Sequence, residues 1–339
     1  MKSLPSRVDR ARQLLRAFGL ASIGLLFACG RRAELLGTVV VARSGQPVPD
    51  SGSAGGQGGQ IGQGGGQGGY GGSSMPAMVA GLQFSPPVLV TAVSDPNAYD
   101  ADPTFTGDLL DLFFMSDRAG SKDLWTSHRL TSADPWGPPT PVTALNSSAA
   151  DEGPTVSLDG LRIWFVTERE VPYRRIWHSS RASRGDTWAA PQVVTELASS
   201  AKDFGPAVDA SETLMFFSSN RPGTLGMFDV FSTSRASTKV PWGAPRPVPG
   251  LNGPYDDKDP FVAEGGLVVF YTSTRSGAGD LFWSQRQSTN EAFPTPVPLV
   301  DVNSPAYDSD PTLSLDLGYL MFDSARTGIS DIYESHAVP

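Results

Sequence analysis

The chain has 339 residues, with 26 Lys and Arg against 35 Asp and Glu, which gives a formal net charge of −9. This surplus of carboxylates argues against a nucleic-acid partner, because phosphate binding requires clustered cations. The length is sufficient for a large hydrophobic core, while a single cysteine, Cys29, excludes an intramolecular disulfide.

The first predicted element is an export signal over residues 1–28. Five basic side chains precede the apolar run LASIGLLFA, which ends directly before Cys29 and is too short to span a bilayer. The residues LFAC resemble the lipobox of bacterial lipoproteins. The resemblance implies cleavage after Ala28, acylation of Cys29 and, because Gly30 follows, sorting to the outer membrane. The alternative is a plain secretory signal with an incidental cysteine.

Residues 29–82 are predicted to form a disordered tether between the membrane and a folded head. Their centre reads SGSAGGQGGQIGQGGGQGGYGG and cannot bury enough apolar surface to offset the entropy lost on ordering. A random coil of about 50 residues has a mean span of about 40 Å. The alternative is a Gln-rich segment for self-association.

Residues 83–339 contain five copies of one repeat, in which four residue types keep a fixed spacing. A marker proline recurs at intervals of 51, 52, 54 and 51 residues, at Pro103, Pro154, Pro206, Pro260 and Pro311. An aspartate stands three residues before each proline: Asp100, Asp151, Asp203, Asp257 and Asp308. An aromatic residue follows each by eleven: Phe114, Phe165, Phe217, Tyr271 and Phe322. An arginine follows each by fifteen: Arg118, Arg169, Arg221, Arg275 and Arg326. These columns predict an array of equal structural units.

Each repeat contains four short β-type runs, A to D, and no convincing helix, which predicts an all-β propeller of four-stranded blades. The last repeat lacks a D run, whereas an unassigned D-type run, PVLVTAV at residues 87–93, precedes the first A run. We therefore expect residues 87–93 to complete the last blade. Five blades then close into a ring with no exposed edge strand.

The stretches DEGPTVSLDGLRIWFVTER and DSDPTLSLDLGYLMFDSARTGISDIY resemble the WD-like repeats of the TolB family, and the resemblance extends over residues 87–339. It implies a β-propeller but no particular function, since such repeats occur in envelope proteins with unrelated tasks. The N-terminal domain expected of TolB is replaced here by the tether, so the role of TolB is not transferred.

The repeated aspartates and arginines are expected to form structural pairs. The aspartates are assigned to the D–A loops and the arginines to the B–C turns, which emerge on the same face of a propeller. A partly buried charge requires a partner, and one Asp–Arg pair in each blade would supply it.

Residues that break the symmetry are better candidates for a binding site. Three repeats carry a second aspartate directly before the proline, and the other two carry Gly153 and Gly205. The three additional aspartates are predicted to form an acidic arc at the channel mouth, on the face of the D–A loops. The arc and its neighbours are the candidate residues for binding a ligand or a cation: Tyr99, Asp100, Asp102, Asp257, Asp259, Tyr307, Asp308 and Asp310. Clustered carboxylates suit Ca²⁺, a cationic peptide or an amine, and no other cofactor is expected. The alternative is a set of loop aspartates that cap turns.

Enzyme signatures are weak in this sequence. The three histidines, His128, His178 and His336, fall in separate repeats, and no phosphate-binding loop is present. We therefore predict a monomeric, non-catalytic scaffold, periplasmic or surface-exposed, that is held at the membrane through Cys29 and binds an envelope protein, a peptide or a cell-wall component. The alternative is a glycoside hydrolase-like five-bladed propeller that uses paired carboxylates.

Overall fold

The computed structural model describes residues 81–170 and 172–338, which form an all-β propeller of five blades. The predicted signal, Cys29 and the tether up to residue 80 lie outside the described residues. Within the described part of the chain, no helix is long and apolar enough to cross a membrane.

Blades 1 to 4 each contain four consecutive antiparallel strands. Blade 1 comprises β3 (Asp100–Phe105), β4 (Asp111–Ser116), β5 (Asp123–His128) and β6 (Thr140–Pro141). Blade 2 comprises β7 (Asp151–Val156), β8 (Arg162–Glu170), β9 (Tyr173–Ser180) and β10 (Gln192–Val193). Blade 3 comprises β11 (Asp203–Val208), β12 (Leu214–Ser219), β13 (Asp229–Ser234) and β14 (Arg246–Pro247). Blade 4 comprises β15 (Asp257–Ala263), a 3₁₀ turn (Glu264–Gly266), β16 (Val268–Ser273), β17 (Asp280–Gln285) and β18 (Val297–Pro298).

Blade 5 is completed by the segment that precedes blade 1, which confirms the predicted closure. Its own strands are β19 (Asp308–Leu313), β20 (Tyr319–Ser324) and β21 (Asp331–Val338). The outer edge is formed by β1 (Gln83–Phe84) and β2 (Val88–Leu89), which both pair with β21. The first strands of neighbouring blades also contact each other in the cyclic order β3, β7, β11, β15, β19 and β3. The ring is therefore closed.

The outer strands are only two residues long, and proline lies in them or close to them in the sequence. Pro141, Pro247 and Pro298 lie within three of them. Proline lacks a backbone N–H, so it fits only at the edge of a sheet. The segment predicted at residues 87–93 accordingly contributes a shorter strand than expected.

The repeated aromatic residues form the core between the blades. Each is fully buried, at 0% exposure, and each belongs to a different hydrophobic cluster: Phe114, Phe165, Phe217, Tyr271 and Phe322. The column therefore packs every blade against the one before it.

A second aromatic column, which we did not identify from the sequence, covers the outer part of the same interfaces. An arginine stacks over the aromatic ring at 4.0 to 4.3 Å in four blades, at Arg129–Trp136, Arg181–Trp188, Arg235–Trp242 and Arg286–Phe293. In blade 5 the buried ring is supplied by Phe84 of β1. A proline three residues after each of these five rings is the sequence signal for this column.

The repeated aspartates begin the inner strands instead of lying in the preceding loops as predicted. Asp100, for example, is paired with Ser116, and the equivalent pairing occurs in all five blades. The pairing register then shifts by one residue, and regular pairing restarts at the residue after the marker proline. This bulge allows the strand to start ahead of a proline that cannot donate a hydrogen bond.

Candidate functional site: a carboxylate cluster on the propeller axis

The predicted Asp–Arg pair is present in every blade. The arginine Nη2 donates to the aspartate Oδ1 over 2.6 to 2.8 Å, in the pairs Asp100–Arg118, Asp151–Arg169, Asp203–Arg221, Asp257–Arg275 and Asp308–Arg326. Each Nη2 also donates to a backbone carbonyl of the segment that precedes the inner strand. The five pairs thus hold each blade together, and they engage Asp100, Asp257 and Asp308 from the set of candidate ligand residues.

The second acidic column occupies a backbone conformation that favours few residue types. Asp102, Asp259 and Asp310 have φ angles of 54°, 51° and 54°, while Gly153 and Gly205 have φ angles of 59° and 45° at the same position. Glycine adopts this left-handed region freely, and aspartate does so more readily than bulkier residues. The bulge therefore accounts for the restriction to Asp and Gly.

Crowding at the axis accounts for the two glycines. A Cβ atom added to Gly205 would lie 2.9 Å from Oδ1 and 3.0 Å from Cα of Asp259. A Cβ atom on Gly153 would lie 3.3 Å from the backbone nitrogen of Gly205. A side chain at Gly205 would therefore clash with Asp259 and one at Gly153 would be tightly packed, so the two glycines leave space for the three carboxylates.

A fourth carboxylate, which we did not select from the sequence, joins this ring from β20. One carboxylate oxygen from each of Asp102, Asp310 and Asp323 lies within 4.8 Å of the other two. Asp323 has 0% exposure. Its Oδ2 accepts hydrogen bonds from Ser309 Oγ at 2.9 Å and Ser330 Oγ at 2.6 Å, whereas among the described residues its Oδ1 has no donor other than the Asp310 carboxyl group when that group is protonated. This Oδ1 is therefore the oxygen available to the cluster.

Burial and mutual repulsion disfavour ionisation of this cluster. Burial, with the charges of Asp102 and Asp323, raises the pKa of Asp259 to about 7. Burial and Asp102 raise the pKa of Asp323 to about 6. The pKa of Asp310 also lies well above its usual range, because Asp310 is buried and faces Asp259 and Asp102. These carboxyl groups therefore share a partly buried site in which a cation would be stabilising.

The described residues form no ion pair with this cluster, although the more distant charge of Lys258 favours ionisation of Asp259. Among the described residues, no basic side chain lies within 4.0 Å of the carboxylate oxygens of Asp102, Asp259, Asp310 or Asp323. Lys258 is a neighbouring cation. Burial opposes its charge, but Asp259 and Tyr307 raise the pKa of Lys258 above its usual value, and its Nζ lies 5.6 Å from the Tyr307 ring centroid.

These pKa shifts predict that the protein becomes less stable as pH rises. The raised pKa values mean that folding favours the protonated carboxyl groups, so this contribution is complete below about pH 4, the unfolded value, and is lost as pH passes through the folded values near 6 and 7. The free energy of unfolding should therefore fall between pH 4 and pH 8. We expect Asp259→Asn to make this fall smaller by roughly 2–4 kcal/mol, since one pKa unit corresponds to about 1.4 kcal/mol.

Urea denaturation at several pH values, without divalent cations, measures this difference. Asp301→Asn is the matched control, because Asp301 is exposed. Equal pH slopes for wild type and Asp259→Asn would contradict the pKa assignment.

Tyr99 and Tyr307 lie close to the cluster but do not line the cavity beside it. The charge of Asp323 and burial raise the pKa of Tyr99, and burial and Asp259 raise the pKa of Tyr307 to about 12. The Nζ of Lys122 lies 5.3 Å from the Tyr99 ring centroid. Both phenols therefore stay neutral near the carboxylates.

The acidic ring forms one end of a cavity of about 270 Å³ on the propeller axis. The next lining residues along the inner strands are uncharged and mostly apolar: Thr104, Phe105, Thr155, Val156, Ala207, Val208, Phe261, Val262, Thr312 and Leu313. The lining ends at the turns after the inner strands, at Gly107, Leu158, Ala210, Gly265 and Leu315, where the exposed Glu264 adds one carboxylate. The cavity thus extends away from the D–A loops, the face on which we predicted the acidic arc.

A sequence signal for Asp323 does exist. The corresponding positions of the other repeats are Met115, Val166, Ser218 and Thr272. An aspartate at a position that is otherwise apolar or a small hydroxyl residue breaks the symmetry. However, it stands outside the D–A segment to which our search for acidic residues was confined.

Comparison with known proteins identifies the fold but no family. No protein-family model and no curated protein matches the sequence. An α-L-arabinofuranosidase from Podospora anserina is similar in structure with a TM-score of 0.52 and 11% identity, over 76% of this chain and 96% of that chain. A thermostable family-43 glycoside hydrolase has a TM-score of 0.50 and 11% identity, over 71% and 89% of the two chains. TolB from Agrobacterium tumefaciens has a TM-score of 0.45 and 16% identity, over 72% and 78%. At these identities the similarity is one of fold alone.

Proposed function

We propose that this protein is a non-catalytic binding scaffold of the bacterial envelope whose axial carboxylates bind a cation. The observation that carries the proposal is Asp323, a fully buried side chain whose Oδ1, when both Asp310 and Asp323 are ionised, has no hydrogen-bond partner among the described residues. Asp102 and Asp310 place carboxylate oxygens within 4.8 Å of it. Asp323 is buried and the other two side chains are only partly exposed, so their negative charges are costly unless a positive charge joins them.

Ca²⁺ is the first probe, because it accepts several carboxylate ligands in flexible geometry. We expect calorimetry on the full chain to show heat of Ca²⁺ binding and the melting temperature to rise with Ca²⁺ concentration. Asp323→Asn should weaken this binding at least tenfold. Asp301→Asn removes an equal but exposed charge and should leave it unchanged. A folded wild-type protein that binds neither Ca²⁺ nor an ammonium ion would refute a cation site.

The envelope location rests on the sequence. The lipobox-like LFAC before the Gly/Gln-rich tether supports acylation at Cys29 and attachment to the outer membrane. On this proposal the head is a monomer that presents its cavity to an envelope protein, a peptide or a cell-wall component. Cys29→Ser should move the protein from the membrane fraction to the soluble fraction and abolish fatty-acid labelling. Labelling that persists in this variant would contradict acylation at Cys29.

A carbohydrate-active enzyme is the second candidate. Carboxylates at the base of an axial cavity favour it, since glycosidases act with a pair of them. The separation argues against it: retaining enzymes hold the two carboxyl groups about 5–5.5 Å apart and inverting enzymes about 6.5–9.5 Å apart. The oxygens of Asp102, Asp310 and Asp323 all lie within 4.8 Å of one another. Release of reducing sugar from an oligosaccharide panel, lost in Asp310→Asn, would establish the enzyme instead.

A further inference from the structure

The two ends of the axial cavity differ in chemistry. At one end, Asp102, Asp259 and Asp310 line the cavity, and the fully buried Asp323 lies next to Asp102 and Asp310 without lining it. At the other end, the lining includes Leu158, Leu315 and one carboxylate residue, Glu264; Leu315 is 57% exposed and Glu264 is also exposed. Among the described residues that line the cavity, none is Lys, Arg or His. A ligand that fills this cavity would therefore place a positive charge at the aspartates and cover a mostly apolar wall before it reaches the exposed end.

The carboxylate cluster also fits a particular kind of positive charge. An alkylammonium group has three N–H donors, and it meets three carboxylates here. Oxygens of Asp102, Asp310 and Asp323 lie within 4.8 Å of one another, and when these groups are ionised the Oδ1 of the fully buried Asp323 has no hydrogen-bond partner among the described residues. A quaternary ammonium has no N–H group and would leave this oxygen unpaired.

The walls discriminate between an organic cation and a hydrated metal ion. Between the acidic end and the mouth, each blade contributes apolar surface, as Phe105, Val208 and Phe261 do. A metal ion at the acidic end would leave this surface against water. An alkyl chain attached to the cation would cover it, and each buried methylene group strengthens binding.

We propose that the cavity binds a primary ammonium group at the end of an apolar chain, with the nitrogen at Asp102, Asp310 and Asp323 and the chain directed toward Leu158 and Leu315. This inference rests on the proposed cation site and specifies its ligand class. The ligand enters from the turns after the inner strands, where the lining residues Glu264 and Leu315 are exposed.

A series of alkylammonium ions tests the proposal by calorimetry on the full chain. Methyl-, propyl- and hexylammonium carry the same head, and we expect affinity to rise about fourfold with each added methylene group. Hexanoate, which has the opposite charge, and hexyltrimethylammonium, which has no N–H donor, should bind at least tenfold more weakly than hexylammonium. Asp323→Asn should abolish the binding of hexylammonium while the protein remains folded by circular dichroism.

A substitution at the Leu315 end of the cavity distinguishes contacts with the alkyl chain of the ligand from contacts with its ammonium group. Leu315→Ser should weaken hexylammonium binding severalfold and leave methylammonium binding unchanged. Leu130→Ser is the matched control, because Leu130 is 81% exposed and does not line the cavity. Asp310→Asn should cause the same loss of hexylammonium binding as Asp323→Asn. This second variant keeps the test decisive if one of the two proteins fails to fold.

The outcomes distinguish this inference from the cation site itself. Binding of methylammonium or Ca²⁺ that is sensitive to Asp323→Asn, without any dependence on chain length, would overturn the alkylammonium proposal and leave the cation site standing. Absence of binding by Ca²⁺ and by every ammonium ion would overturn both.

Discussion

Deletion of residues 1–93 should abolish cooperative folding, whereas deletion of residues 1–80 should leave the head folded. The longer deletion removes β1 and β2, together with the buried side chains Phe84, Val90 and Val93. Burial of three such side chains contributes roughly 5–8 kcal/mol, which is comparable with the 5–15 kcal/mol that stabilises a whole domain. The deletion also exposes the edge of β21 and so favours aggregation.

Both shortened chains can be compared by thermal unfolding and size-exclusion chromatography. The chain that begins at residue 81 should unfold in one sharp transition and elute as a monomer. The chain that begins at residue 94 should show a broad transition or aggregate. A sharp transition at the same temperature in both chains would mean that the N-terminal strands do not close the ring.

Arg275→Met should cost about 3–5 kcal/mol of unfolding free energy, because it leaves a buried carboxylate without its partner. Asp257 has 0% exposure, and its Oδ1 accepts a hydrogen bond from Arg275 Nη2 at 2.7 Å. Arg275 also donates to the carbonyl oxygen of Leu251 at 2.7 Å and to Ser273 Oγ at 2.8 Å. Its guanidinium carbon lies 5.1 Å from the Phe282 ring centroid. Methionine can replace some of the packing but none of the charge.

A double-mutant cycle isolates the ion pair from the packing. Asp257→Asn in the Arg275→Met background should recover part of the lost stability, since it removes the unpaired charge. Arg246→Met is the control, because Arg246 is exposed in β14 and should change stability by less than about 0.5 kcal/mol. Additive effects of the two substitutions would show that Arg275 acts through packing alone.

The Asp–Arg pairs and the carboxylate cluster use aspartates two positions apart in the same repeat, and the charges that surround the two positions are opposite in sign. Asp308 and Asp310 are two residues apart in β19. The negative charge of Asp308 is paired with Arg326. Asp310 instead faces three other carboxylates, Asp102, Asp259 and Asp323. The bulge at Asp310 turns its side chain toward the axis. The same Asp-x-Asp sequence thus contributes one residue to stability and one to the candidate site.

Local periodicity was sufficient to predict the architecture. The interval of 51 to 54 residues predicted the number of blades, and the unmatched run near residues 87–93 predicted the closure. The constant spacing of fifteen plus three residues predicted each Asp–Arg pair. The ion pairs follow from the sequence because each one is formed within a single repeat, and the closure follows because the last repeat lacks the one strand that precedes the first.

The sequence by itself therefore determined the five-bladed ring, its closure and its repeated ion pairs. Only the tertiary structure decided which carboxylates meet on the axis and toward which face the cavity extends. Asp102 and Asp323 are separated by 221 positions in the chain and become neighbours because ring closure brings blade 5 against blade 1. A contact across that closure depends on the radius of the ring and on the direction of each side chain at its bulge, and neither is encoded in the spacing of the repeats.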